Sequence, residues 1–199
     1  MFGLRISLVS VLTIGITTYL ALKMWNHYDH STFAYHPALL TAAFAGGFPL
    51  AIHSKTIGSK SVVHGVLSSI AAAAAAYGMY VIYVLKEDGG RTHFYSVLDP
   101  SVSWHAVIGA LAVAGVVFQA TVPWIKGYAP MARSDANIHR SGGKIHIVLG
   151  AVALLTGWWK PYGGDGASFA LVVGGLAVIL VSVFTRVSQP LADTIVAKL

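Results

Sequence analysis

The 199-residue sequence predicts an all-α membrane protein with six transmembrane helices, and three observations carry that prediction. Charged residues make up 10% of the chain against 56% hydrophobic ones, and the mean hydropathy is +0.70. A soluble domain usually carries about 25% charge, so this chain has too little to cover a water-facing surface. The apolar residues also gather into six stretches, approximately 2–25, 33–53, 61–85, 102–125, 144–159 and 167–187. A helical crossing needs ~20 such residues, and the fifth stretch is the shortest. Finally, the charges divide between alternate loops. Six crossings put both termini on one side, with Arg5, Lys55, Lys60, Lys126, Arg133, Arg140, Lys144, Arg186 and Lys198 against Asp135 and Asp193. The other side holds Lys23, Lys86, Arg91 and Lys160 against Asp29, Glu87, Asp88, Asp99 and Asp165. The positive-inside rule places both termini in the cytoplasm or its topological equivalent. The net charge of +6 therefore reports orientation and not a nucleic-acid partner.

Each element has its own justification. The first stretch reads as a retained helix: it exceeds the ~7–15-residue core of a signal peptide and ends in bulky Lys23, Met24 and Trp25. The second opens on His36-Pro37. A proline lacks the N–H that a helix's first turn does not need, so Pro37 fixes where the span begins and how high His36 sits. The third carries His64-Gly65 at its start and the alanine run 71–76. Pro100 precedes the fourth, which opens with Trp104-His105 and continues to Gly109 and Gly115. The fifth begins after Gly142-Gly143 and holds His146 and Gly150. Small residues of this kind let membrane helices approach closely. Trp25, Trp104, Trp124, Trp158 and Trp159 fall near span ends, as interfacial anchors do. With no long linker, residues 1–199 form a single transmembrane domain. Without cysteine there is no disulfide, thiolate-bound metal or Cys-x-x-Cys-His haem attachment.

The histidines carry the chemistry. A histidine inside a hydrocarbon span is costly and marks a pathway, a cofactor or a buried partner. His36, His64, His105 and His146 lie within the second to fifth spans; His27, His30, His53 and His139 fall at or beyond the membrane edges and receive no ligand role. Following the chain through the membrane, His36 and His105 lie towards the non-cytoplasmic face, and His64 and His146 towards the cytoplasmic face. A b-type haem needs two axial imidazoles from neighbouring helices of a bundle. One pair per leaflet makes two haems b stacked along the membrane normal, a four-helix di-haem core in helices 2–5.

These residues resemble the cytochrome b561 family of ascorbate-linked transmembrane electron carriers. The resemblance rests on "FAYHPALLTAAF" in the second helix, "SKSVVHGVLSSI" in the third, "THFYS" with "SWHAVIG" leading into the fourth, and "GGKIHIVLG" in the fifth. It covers roughly residues 33–159. By position it implies His36 and His105 as ligands of a non-cytoplasmic haem, and His64 and His146 as those of a cytoplasmic one. One departure stands out: "VLDPSV" separates Ser96 from Ser103, and Trp104 precedes His105 where the family has tryptophan after it. Gly109 still follows His105 by four residues, so the ligand carries over while the loop geometry around His93 does not.

The family implies a cytoplasmic ascorbate site of lysine and arginine, for which Lys60 and Arg140 are the candidates beside Lys55 and Lys144. On the far side Arg91, His93 and Tyr95 are the candidates for binding an electron acceptor or a ferric chelate. The expected activity is ascorbate-dependent one-electron transfer to monodehydroascorbate or ferric iron. A haem-binding accessory subunit of a larger respiratory or photosynthetic complex is the competing class, so a homodimer and a larger assembly both stay open. A transporter is disfavoured, because no acidic residue falls within any span.

Overall fold

The computed structural model describes residues 8–56, 61–89, 103–125, 133–162 and 166–184, and the regular structure among them is helical throughout. The first helix, α1 (Leu8–His27), ends where Asp29 and His30 adopt left-handed backbone angles, φ 49° and 57°. Side chains make that conformation costly, so neighbouring bonds must hold it. The His30 N–H donates to Trp25 O at 3.2 Å and the Ser31 N–H to Tyr28 O at 2.9 Å. The His30 ring donates from Nε2 to Asn26 Oδ1 at 2.9 Å and stacks on Trp25. The chain is thereby reversed into its second rod.

That rod has four parts: a 3₁₀ turn (Thr32–Ala34), α2 (Tyr35–Thr41), a π-turn (Ala42–Gly47) and α3 (Phe48–Thr56). Pro37 stands in the first turn of α2, as the sequence predicts. Pro49 accounts for the π-turn: a proline ring clashes with the carbonyl four residues back, here that of Ala45, which the wider turn moves aside. Two glycines then bring neighbours close. A Cβ on Gly46 would lie 2.6 Å from Thr17 Cγ2, and one on Gly47 would lie 2.6 Å from Ala71 Cβ. Helix α1 closes on one side of the rod and α4 on another.

The remaining helices are α4 (Ser61–Asp88), α5 (Trp104–Ile125), α6 (Arg133–Tyr162) and α7 (Gly166–Phe184). The rod, α4, α5 and α6 pack in a ring, each on the next, and α6 returns to α2. Helices α1 and α7 lie outside this bundle against the rod, with α7 also on α6. Phe44, Val116, Leu154 and Trp158 fill the centre. Trp124 Nε1 donates to Ser69 Oγ at 2.8 Å and ties α5 to α4. Among the described residues, Thr32–Lys55, Val62–Asp88 and Trp104–Ile125 are long and apolar enough to cross a bilayer. Ile70, Phe118 and Val181 stand exposed on the outer faces, a surface suited to lipid and not to water.

Helix α6 departs from the sequence expectation. The fifth stretch was expected to begin at residue 144, yet the helix starts at Arg133. Its first turns are polar, so hydropathy does not register them. They are helical all the same, and Asp135 in the first turn complements the helix dipole. His139 consequently lies on a helix that packs in the bundle.

Candidate functional site

Two pairs of imidazoles face each other across the bundle. His36 on α2 and His105 on α5 have ring centroids 6.4 Å apart, with planes at 88°. His36 is buried and donates from Nδ1 to Gly78 O on α4 at 3.0 Å. His105 donates from Nδ1 to Ala153 O on α6 at 2.9 Å, and Thr156 Oγ1 lies 3.1 Å from the same nitrogen. A ring whose Nδ1–H is held by a carbonyl presents its Nε2 lone pair outward, the tautomer suited to a metal ligand. Between them lies a cavity of ≈ 990 Å³ including its open mouth, walled partly by Gly109, Gly150 and Gly157. Gly157 is close enough to His105 that a Cβ there would come within 2.8 Å of the ring's Cε1. Tyr28 and Lys86 stand in the same cavity. Burial pushes the Tyr28 phenol above its ordinary value, so it remains a hydrogen-bond donor at neutral pH.

The second pair is His64 on α4 and His139 on α6, with centroids 6.3 Å apart and planes at 83°. His64 donates from Nδ1 to Ala51 O on α3 at 2.8 Å. The sequence had paired His64 with His146 instead. His146 lies seven residues further along α6, roughly 10.5 Å up the helix. Its imidazole presses on Gly115 of α5, where a Cβ would overlap the ring, and its Nδ1 is buried with no partner. The structure therefore brings together His36 with His105 and His64 with His139, and leaves His146 apart from both.

The two pairs occupy different heights. Fourteen residues separate His64 from Gly78 on α4, and fourteen separate His139 from Ala153 on α6. Both helices thus place the pairs about 21 Å apart at 1.5 Å per residue. Around the second pair the Lys55 ammonium acts electrostatically on both rings. Arg140, next to His139, is exposed. Lys60, Arg91, His93 and Tyr95 lie outside the described residues.

Do these sites fit haem? With metal–nitrogen bonds of about 2.0–2.1 Å, two imidazoles facing through one metal ion have centroids roughly 6–6.5 Å apart. Both pairs meet that spacing, and glycines clear space beside the first. The His36 and His105 donor set, with the cavity between the rings, fits a bis-imidazole haem, and the His64 and His139 rings share its spacing. Residues 35–164 match the protein family described as Eukaryotic cytochrome b561.

The chain belongs to the cytochrome b561 family.

That match spans the rod from Tyr35, all of α4 and α5, and α6 to its end, so all five of these bundle histidines fall inside it. No curated relative matches the chain. The family is one of integral membrane proteins that bind haem b and carry electrons across the bilayer, and the apolar helices agree with that placement. His139, to which the sequence gives no ligand role, is the ring that the structure sets opposite His64. A glycine follows four residues after His139 and likewise four after His146, so spacing alone did not separate them. Three carbonyls that orient the rings, those of Ala51, Gly78 and Ala153, leave no mark in a sequence.

Proposed function

We propose that this chain transfers single electrons across the membrane between two haems b, one held by His36 and His105 and the other by His64 and His139. The observation that carries the reading is the pair of matched ring spacings, 6.4 Å and 6.3 Å, with three of the four rings tethered through Nδ1 to a carbonyl. Haem supplies a one-electron iron couple at each site. Two imidazoles at each site would hold the haem and would leave its iron no free position for oxygen, which favours electron transfer alone. Gly78, Ala51 and Ala153 carbonyls hold the rings and raise their basicity.

Six crossings with both termini on the cytoplasmic side place His64 and His139 at the cytoplasmic face. Ascorbate is the donor there, its negative charge drawn by Lys55, Lys60 and Arg140. Monodehydroascorbate or ferric iron is the acceptor at the opposite face, near His93 and Arg91. The insertion of "VLDPSV" before His105 alters that outer loop and favours a second reading, a haem-carrying subunit of a larger membrane assembly.

Purified protein in detergent tests the proposal through haem quantified per chain and through the spectrum before and after ascorbate. Two haems b, both reduced by ascorbate, are expected. Two haems that ascorbate leaves oxidised would move the weight to the accessory subunit, and a haem-free chain would overturn the reading.

A further inference from the structure

Two polar turns at one end of the bundle each send a single side chain inwards. Around the end of α1, Asn26, His27, Asp29 and His30 are exposed, while Tyr28 among them is half-buried. At the end of α4, Glu87 and Asp88 are exposed, while Lys86 is half-buried. Both inward side chains line the cavity of His36 and His105. Tyr28 is held in place on two sides. The left-handed residues Asp29 and His30 reverse the chain immediately after it. Its ring meets Phe33 edge-on at 4.7 Å, and the Phe33 ring lies 6.0 Å from that of His36. Backbone strain of this kind persists only where the surroundings hold it, and it gathers at ligand sites.

The rest of the wall is nearly apolar. Besides the two imidazoles, its other polar group among the described residues is Trp158, whose indole N–H donates to Thr41 Oγ1 at 3.4 Å. Lys86 is the one charged side chain among the described lining residues, and no carboxylate stands among them. It follows Gly78, the acceptor of His36, by eight residues, about 12 Å further towards the end of α4. A lysine stem packs along apolar surface while its ammonium reaches beyond. An ammonium offers donors and no acceptor, and a phenol adds an O–H. The pair therefore suits a carboxylate, which in so apolar a cavity would be costly without such partners.

We propose that Lys86 and Tyr28 hold a propionate carboxylate of the haem ligated by His36 and His105, Lys86 as its ion-pair partner and Tyr28 as a hydrogen-bond donor. The proposal rests on the ligation by those two histidines. Haem b carries its propionates on one edge, so the pair decides which edge faces the ends of α1 and α4. It also tunes the iron. A propionate charge favours the ferric state, and the Lys86 ammonium offsets it.

The test combines a spectroscopic redox titration with an isotope-difference infrared spectrum, using haem labelled at its propionate carboxyl carbons. The wild type, Lys86→Gln, Lys86→Arg and Tyr28→Phe are compared, in buffer free of other carboxylates. The component lost in His36→Leu identifies the haem concerned. Lys86→Gln should favour its ferric state tenfold, a fall in midpoint of about 59 mV, and should move the labelled carboxylate band. Tyr28→Phe should move the same band with a smaller fall, and Lys86→Arg should keep the wild-type midpoint. If Lys86→Gln prevents assembly of that haem, the band in Tyr28→Phe decides the matter. A midpoint that falls while the band stays still in both variants would make Lys86 a distant charge and overturn the proposal. Unmoved midpoint and band, with only the reaction with a free organic anion weakened, would assign the pair to a substrate and overturn it too. A wild type without a His36-dependent haem would overturn the ligation itself, and the proposal with it.

Discussion

Replacing His139 and His146 separately by leucine gives opposite outcomes. His139 faces His64 with ring centroids 6.3 Å apart, so His139→Leu removes one of two imidazoles from a site. His146 cannot take its place, because seven residues of helix set it roughly 10.5 Å away while a metal–imidazole bond spans about 2 Å. The chain should therefore retain one haem of two. His146→Leu acts differently. The wild-type ring buries an Nδ1 that has no partner, a desolvation cost of roughly 1–3 kcal/mol. Leucine has a similar volume and needs no partner, so the variant should keep both haems and gain about 1 kcal/mol or more in stability. Haem per chain is measured by extraction, and stability by thermal melting in detergent. One haem in His146→Leu together with two in His139→Leu would refute the reasoning, because the ligand would then be the ring that the structure sets against Gly115.

Three further outcomes follow from the same geometry. Gly157→Ala puts a Cβ 2.8 Å from Cε1 of a His105 ring that two hydrogen-bonding partners hold still, so overpacking of about 1–3 kcal/mol should loosen the haem of the His36 and His105 site. A titration should show that component diminished and the other intact. Trp124→Phe removes the 2.8 Å bond to Ser69 between α5 and α4, and should lower thermal stability by about 0.5–1.5 kcal/mol while leaving the haem spectrum unchanged. Lys55→Gln should slow reduction by ascorbate several-fold at low salt. The difference should vanish near 1 M salt, where the screening length falls to about 3 Å, and persistence of the difference there would argue against an electrostatic role.

The all-helical fold and the placing of His36 and His105 on facing helices are legible in the sequence, and the reasons are physical. The stretches 33–53, 61–85 and 102–125 match helical rods because a bilayer-spanning helix must be apolar over its length, which hydropathy measures directly. Pro37 and the charges of the loops set their starts. The fifth helix was cut short at residue 144 because only its apolar part is visible in this way, whereas the polar turns from Arg133 are held by backbone bonds and by packing. His139 stands on those polar turns, so hydropathy puts it at the membrane edge. The choice between His139 and His146 depends on which ring meets His64, a matter of helix rotation and height that pairwise spacing within one helix cannot decide. Gly46, Gly47 and Pro49 are visible in the sequence, yet their joint result, a π-turn, depends on how closely α1 and α4 approach.

The π-turn has a consequence for insertions and deletions. On α4 and α6 fourteen residues lead from a ring to the carbonyl that serves the other pair, whereas on the second rod fifteen lead from His36 to Ala51. Fourteen residues of α-helix wind just under four turns and return to within about 40° of the starting face, while fifteen overshoot by about 60°. The surplus residue is absorbed between Ala42 and Gly47, where the turn is wider. The rod thus behaves as an ordinary helix carrying one spare letter. Removing a single residue from 42–47 would convert the turn to plain α-helix and leave the His64 contact in phase. The same deletion between His64 and Gly78 on α4 would rotate one contact away from the other. Sequence length is negotiable in one arm of the bundle and rigidly counted in the other, an asymmetry that related chains should display as gaps confined to the Ala42–Gly47 turn.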